Sequence, residues 1–343
     1  MNSESRRSMS APAESGTATT RRMIAVMVLV PLAVTLALWV FAWPAARIAP
    51  RDLPVGVAGP AAATAQLKKG FQQHEGAFEV HRYEDEAAAR RAIEDRIVYG
   101  AVVASPEGTR LLTATAAGPV VAQFLTQAVT ARAPAGAEVP VTDVVPTPAG
   151  DARGSVLGAS VLPLSMAGVA TGAVVTLLGL RGARAALTLT GAAALVGVAA
   201  TAVAGSWLEA LTGDWWTQAG AIGLTVLAMG AGAAGLAALL GRAGLGLAGL
   251  LMVLLGNSFS GVTSAPEMLP DPIGLIGQSL PPGAGGSLIR SVAFFDGAGA
   301  GASLLTLSLW AVLGLTAVLV AARVRRPGPA AVASRPAEPA LVG

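Results

Sequence analysis

Six apolar stretches, each free of Asp, Glu, Lys and Arg, dominate the hydrophobic pattern of the chain. They are Met23–Trp43, Val156–Leu180, Ala185–Ser206, Thr217–Leu240, Ala243–Val262 and Ala302–Ala322. A helix rises about 1.5 Å per residue, so each stretch is long enough to cross roughly 30 Å of hydrocarbon. Helices also satisfy their own backbone hydrogen bonds, which lipid cannot do. The pattern predicts an α-helical polytopic membrane protein with six transmembrane helices.

The arginines are distributed unevenly among the connections between these stretches. They precede the first stretch, separate the second from the third and the fourth from the fifth, and follow the last: Arg6, Arg7, Arg21, Arg22, Arg181, Arg184, Arg242, Arg323, Arg325 and Arg326. The alternate short connections are mainly acidic. By the positive-inside rule, we expect a multi-pass protein of the cell membrane with both termini in the cytoplasm and residues 44–153 outside.

Composition agrees with this prediction and limits the partners. Hydrophobic residues make up 53% of the chain and charged residues only 13%, roughly half the charged fraction of an average soluble domain. The net charge of +3 requires no nucleic-acid partner, because many of the arginines flank apolar stretches and would face anionic lipid headgroups. We therefore expect the lipid bilayer, and no nucleic acid, as a partner.

Residues 44–153 alternate between strand and helix patterns. The strand patterns are Leu53–Gly59, Phe78–Tyr83, Gly100–Ser105, Arg110–Ala116 and Val139–Val145, and the helix patterns are Ala61–Gln73, Glu84–Ile97 and Pro119–Arg132. They predict an extracytoplasmic α/β domain inserted between helices 1 and 2, with a mixed sheet and its helices on one face. Opposite charges three or four residues apart, from Asp85 to Arg96, indicate a solvated helix face.

The remaining regions are predicted from their Pro, Gly and polar content. Residues 1–22 and 323–343 read as disordered cytoplasmic ends. Residues 154–322 form a five-helix membrane domain with an outer Pro/Gly-rich loop, the Pro/Gly segment (Thr263–Gly301). Its five prolines exclude one continuous spanning helix. We expect two short helices or a re-entrant pair at the outer face, broken at the Pro-Pro-Gly of Pro281 to Gly283.

The chain lacks the common motifs of catalysis. A phosphate-binding P-loop needs glycines before a Lys and a Ser or Thr after it, and neither Lys68 nor Lys69, the only lysines, has them. No G-x-S-x-G occurs. His74 and Glu75 lack the second histidine of a zinc-binding H-E-x-x-H, because Phe78 stands in its place. We therefore expect no enzyme activity, no metal and no cofactor.

Two parts of the sequence resemble a known family. The outer stretches "LPVGVAG" and "EDEAAARRAIEDRIVYGAVVASPEG" are similar to the start of the outer domain in type-2 ABC exporter permeases and in the related phage-infection-protein-like membrane proteins. The segment before the last apolar stretch is similar to the family's signature loop, through Ser260, Gly261, Pro266, Glu267, Leu269, Pro270, Leu280, Pro281, Arg290, Phe295 and Gly297. One anchor, an outer α/β domain and five further spans also match the family's layout.

The resemblance implies a membrane permease subunit of an ABC-type exporter. Such a subunit works as a homo- or heterodimer and moves its substrate outward with the energy of a separate ATPase. The candidate residues of an outer gate are Ser260, Gly261, Pro266, Glu267, Pro270, Pro281, Gly283, Arg290 and Gly297. The candidate ATPase contacts are the short loops with Arg181, Arg184 and Arg242.

Two other functional classes remain open at the level of sequence. The chain could be a non-transporting membrane scaffold or receptor whose extracytoplasmic domain binds cell wall, a secreted protein or a phage. An intramembrane enzyme is the third class. The spans hold no ionisable side chain, which disfavours carriers driven by protons or sodium ions.

Overall fold

The computed structural model describes residues 14–106, 108–132 and 138–324. It divides into two compact units, the first ending at Ala46 and the second beginning at Arg47. The first unit contains the helix α1 (Glu14–Ala45), which begins well before the predicted start of the span at Met23. Disorder was predicted for residues 1–22 and 323–343. Of these, residues 1–13 and 325–343 lie outside the described residues, whereas residues 14–22 and 323–324 lie in helices.

Five of the helices are long and apolar enough to cross a membrane. They comprise most of α1, from Thr19 to Ala45, and four helices of the second unit: α5 (Ser155–Leu177), α6 (Gly182–Trp207), α7 (Trp215–Leu240) and α11 (Gly301–Val324). The chain is therefore a multi-pass helical protein with a membrane-type pattern of apolar helices.

The predicted span Ala243–Val262 is not confirmed as a full span. The structure has a shorter apolar helix there, α8 (Arg242–Ser258), whose middle part, Gly249–Leu255, is a π-helix. The helix ends before Gly261, which adopts a left-handed backbone conformation (φ 64°) that suits glycine but not a continuing helix. By length and composition, five helices in the described part of the chain could cross a membrane, and the sixth predicted span is not confirmed.

The sheet domain (residues 47–153) follows the predicted alternation of strands and helices. Its elements are β1 (Leu53–Ala58), α2 (Ala61–Gln72), β2 (Phe78–Tyr83), α3 (Glu86–Glu94), β3 (Gly100–Ser105), β4 (Gly108–Thr113), α4 (Pro119–Thr130) and β5 (Val141–Asp143). The strand order is β2-β1-β3-β4-β5. All neighbouring strands are parallel except β3 and β4, so the predicted mixed sheet is confirmed.

The helices of the sheet domain lie on both faces of the sheet, and the prediction of a single covered face is wrong. The chain moves from β1 to one edge to form β2, then returns across β1 to form β3. Right-handed crossovers in opposite directions place their helices on opposite faces. Accordingly, α3 contributes Ile93 to the core on one face, whereas α2 and α4 contribute Phe71 and Leu125 to the core on the other.

Helix α7 is the centre of the helical bundle. It is largely buried, whereas α5, α6 and α11 each keep most of their surface exposed. Small residues allow its neighbours to approach closely. A Cβ at Gly172 of α5 would lie 2.5 Å from the Gly230 carbonyl oxygen, and one at Gly235 would lie 2.9 Å from the Gly314 Cα of α11.

The Pro/Gly segment forms two short helices, as the prolines predict. After a 3₁₀ turn at Pro266–Met268 come α9 (Ile273–Ser279) and α10 (Pro281–Phe294). Proline suits the first turn of a helix, where its missing N–H is not needed, so Pro281 both ends α9 and begins α10. We call α9 and α10 together the hairpin.

The tip of the hairpin reaches about half-way along the bundle. At its far end α10 lies beside the start of α7, where Thr212 Oγ1 donates to the Ala293 carbonyl at 3.0 Å. Closer to the tip, Gly285 packs on Thr225, in the middle of α7. At the tip itself, Trp310 Nε1, in the middle of α11, donates to the Ser279 carbonyl at 3.0 Å. The hairpin is therefore inserted between the helices.

Candidate functional site

The Pro/Gly segment joins the sheet domain on both of its faces. Ala265 and Met268 belong to the core on the face of α2 and α4, and Phe295 belongs to the core on the face of α3. The backbone is tied as well, because the amides of Ala49 and Arg51 donate to the carbonyls of Met268 and Glu267 at 3.1 and 2.8 Å. The sheet domain and the segment thus share two apolar cores.

Arg96 connects the end of α3 to the hairpin. Its guanidinium donates to the Ser287 carbonyl at 3.2 Å and to Ser291 Oγ, and it lies 5.4 Å from the centre of the Phe295 ring. This distance is typical of a cation–π contact. Burial lowers the pKa of Arg96, and the nearby Tyr99 and Glu267 oppose that shift.

The backbone of Arg96 adopts a conformation that is unusual for its residue type. Its φ is +58°, in the left-handed region where Gly is the usual residue just after a helix. The backbone alone would favour Gly there, so the side-chain contacts offset a cost of about 1–2 kcal/mol. The contacts of the guanidinium therefore stabilise a backbone conformation that Arg adopts only at a cost.

Tyr99 makes the second polar connection. Its hydroxyl donates to Glu267 Oε2 at 2.9 Å, across 168 residues of sequence. Burial raises the pKa of Tyr99, and the charge of Glu267 and the hydrogen bond to it act in the same direction. Tyr99 therefore remains a neutral donor, and the carboxylate of Glu267 is its acceptor.

Arg290 is the most deeply buried charged residue of the segment, with 4% of its surface exposed. Its guanidinium donates to the Val262 carbonyl. This bond joins α10 to the chain four residues beyond the end of α8. Its Nε has no hydrogen-bond partner among the described residues. Together, Arg96, Tyr99, Glu267 and Arg290 form what we call the polar junction.

The other predicted gate residues shape the hairpin instead of the polar junction. Gly283 must be small because a Cβ there would lie 2.2 Å from the Gly277 carbonyl oxygen of α9. Ser260 offers its carbonyl to Gln278 Nε2 at 2.8 Å. The remaining ones lie at turns or helix starts, Gly261 just before the Pro/Gly segment and the others within it: Pro266, Pro270, Pro281 and Gly297.

The predicted ATPase contacts lie together at the opposite end of the bundle. Arg181 and Arg184 flank the start of α6, and Arg242 follows the end of α7; all three are exposed. The start of α6 meets the end of α11, since a Cβ at Gly182 would lie 3.3 Å from the Ala322 Cβ. We call this the arginine end.

Sequence reasoning missed Arg96 and Tyr99. The prediction placed Arg96 on a solvated helix face, and the structure corrects this, because Arg96 lies two residues beyond the end of α3 and its side chain contacts the hairpin. The predicted pairing of charges does hold for Glu86 and Arg90, which are 3.3 Å apart. The sequence offered no signal for Arg96, because the predicted helix, Glu84–Ile97, includes this residue.

Comparisons with known proteins do not assign this chain to a family. No protein-family model, no curated protein and no solved structure matches it. Its function is therefore inferred from its own sequence and structure.

Proposed function

We propose that the protein is the membrane permease subunit of an ABC-type exporter and acts as a homo- or heterodimer with a separate ATPase. The observation that supports this most is the hairpin, which lies between α7 and α11, reaches about half-way along them and is joined to the sheet domain. A short helical pair in this position is a plug that can shift without unfolding a span. Such an element suits a permease better than a passive anchor.

The source of energy follows from what the sequence lacks. The apolar stretches carry no ionisable group that could bind a driving ion, and the chain has no P-loop. A separate nucleotide-hydrolysing partner is therefore the proposed source of energy for movement of the hairpin. The arginine end, with Arg181, Arg184 and Arg242 exposed, is the proposed docking surface, and by the positive-inside rule it faces the cytoplasm together with both termini.

The hairpin is the proposed gate. Its Gly285 packs so tightly that a Cβ would lie 2.3 Å from Thr225 Cγ2. Proteins are close-packed and resist small continuous shifts, so such contacts tend to have discrete arrangements. Opening of the gate would separate Gly285 from Thr225, and the polar junction would transmit the movement to the sheet domain.

The ATPase partner can be tested by purification from native membranes after mild crosslinking. The wild-type chain should recover a nucleotide-binding subunit, and the double variant Arg181→Glu/Arg184→Glu should lose it. The matched control is Arg91→Glu/Arg132→Glu, which reverses two exposed arginines of the sheet domain and should retain the subunit. If wild type recovers no such subunit while the sheet domain captures a wall or secreted partner, the scaffold function replaces this one.

The gate can be tested with disulfides, because the chain has no native cysteine. Gly285→Cys with Thr225→Cys would place two Cβ atoms 3.2 Å apart across the gate, close to the 3.5–4.5 Å of natural disulfides. The two single-cysteine variants, Gly285→Cys and Thr225→Cys, are the controls, because neither can form the disulfide. Oxidation of the pair should stop ATP hydrolysis by the purified complex, reversibly on reduction. Equal hydrolysis by the oxidised pair and by the oxidised single variants would exclude the gate.

A further inference from the structure

A cavity of about 430 Å³ lies between α7 and α11, next to the tip of the hairpin. Ser279, at the end of α9, lies at one end of it. The rest of the lining comes from the second half of α7 and the middle of α11: Gly232, Gly235, Leu236, Leu239, Thr306, Leu309, Trp310, Leu313, Gly314 and Ala317. The size falls within the range of small-molecule sites, about 300–1,000 Å³.

The lining is suited to hydrocarbon. None of the described residues that line the cavity is charged, and the indole N–H of Trp310 is already occupied by the Ser279 carbonyl. The other polar side chains among the described lining residues are the hydroxyls of Ser279 and Thr306, and that of Ser279 donates to the Leu275 carbonyl at 2.9 Å. An ion, a headgroup or a peptide backbone would therefore find few polar partners here. Apolar cavities of this kind exclude water and bind apolar molecules.

The mouth of the cavity opens sideways between two helices of spanning length. Three lining leucines have large exposed fractions: Leu239 67%, Leu309 51% and Leu313 66%. At the level of α7 and α11 the surroundings of a membrane protein are lipid tails. The back of the cavity is closed by the contact of Gly235 with Gly314, so an occupant must enter from the bilayer side.

We propose that this cavity binds one acyl chain of a lipid from the surrounding bilayer. The volume of about 430 Å³ is that of a site for one small molecule, which a section of a single acyl chain matches. The uncharged lining matches the uncharged chain. The bound chain lies against Ser279 and Trp310, and so contacts the tip of the hairpin directly.

The experiment uses the full-length protein in vesicles of phosphatidylcholine with a photoreactive diazirine on the acyl chain. Labelled residues are identified by mass spectrometry, with labelling of α1 as the internal reference. We expect strong labelling within Gly232–Leu239 and Thr306–Ala317. Ala317→Phe, which fills the cavity, should reduce this labelling at least fivefold. Ala302→Phe, the same change at an exposed position outside the lining, should leave it unchanged.

A second variant that fills the cavity, Thr306→Met, keeps the test valid if Ala317→Phe misfolds. In both variants the lipid must label α1 as strongly as it does in wild type. Equal labelling of wild type and both filling variants would overturn the proposal. The proposal would also be overturned if Leu309→Cys forms a disulfide between two copies and the lipid labels neither helix, because a second copy would then cover this face. The measurement needs no ATPase, so its outcome is independent of the proposed export function.

Discussion

The contribution of the Arg96 side chain to stability can be measured separately, because the backbone conformation at this position favours Gly whereas the side-chain contacts favour Arg. Arg96→Ala removes the bonds to Ser287 and Ser291 and the contact with Phe295, but it keeps a Cβ in the left-handed conformation. Arg96→Gly removes the same contacts and also relieves the backbone. The two variants therefore differ only in the free-energy cost of the left-handed backbone conformation.

The magnitudes follow from these contacts. A hydrogen bond from a charged group contributes about 1.5–3 kcal/mol when buried, and an exposed cation–π contact about 0.5–1 kcal/mol. Because Arg96 is only half-buried, we take about 2–4 kcal/mol as the loss in Arg96→Ala. Relief of the left-handed backbone returns about 1 kcal/mol, so Arg96→Gly should lose about 1–3 kcal/mol.

The assay is thermal unfolding of the full-length protein in detergent, together with hydrogen exchange of the amides of α10. A change of 1 kcal/mol moves Tm by about 2–4 °C in domains of 150–250 residues, so Arg96→Ala should lower Tm by about 4 °C or more. Exchange at Ser287 and Ser291 should accelerate in both variants, because the link to α3 is lost.

The control is the exposed Arg91, inside α3. At a regular helical position Gly costs about 1 kcal/mol more than Ala, so Arg91→Gly should be less stable than Arg91→Ala, the reverse of the order at Arg96. The same order at both positions would refute the left-handed conformation of Arg96. Wild-type stability of both Arg96 variants would refute its role in the polar junction.

Two further predictions concern pH and topology. Burial raises the pKa of Tyr99 above its ordinary value of 10.0. The neutral hydroxyl therefore stabilises the fold below pH 10, and this stability is lost as the pH rises toward the pKa that Tyr99 has in the folded protein. Unfolding midpoints between pH 9 and 11 should fall more steeply for wild type than for Tyr99→Phe, and parallel curves would contradict this. Single cysteines at the exposed Ser105 and Asp271 should react with a membrane-impermeant maleimide added to intact cells, and one at the exposed Ala183 should not. Labelling of Ala183→Cys from outside would reverse the proposed orientation.

Local patterns in the sequence determined most of the secondary structure. The strands Phe78–Tyr83 and Gly100–Ser105 have the predicted bounds, because alternating and β-branched residues between turn signals act over a few neighbours. Pro281 likewise marks the break of the hairpin, since the constraints of proline are local. The length of α8 was overestimated, because apolar content alone does not register where glycines end or distort a helix.

The tertiary structure alone decided which distant residues meet. The sequence singled out Glu267 and Arg290, but not that Tyr99 would bond to Glu267 across 168 residues or Arg96 to Ser291 across 195. Nor could it locate a cavity between α7 and α11. Periodicity specifies which face of an element is apolar, whereas the partner of that face depends on how the crossovers and the hairpin bring separate elements together. Arg96 was misread for this reason: its local surroundings are those of a solvated helix, and its contacts come from a segment almost two hundred residues away.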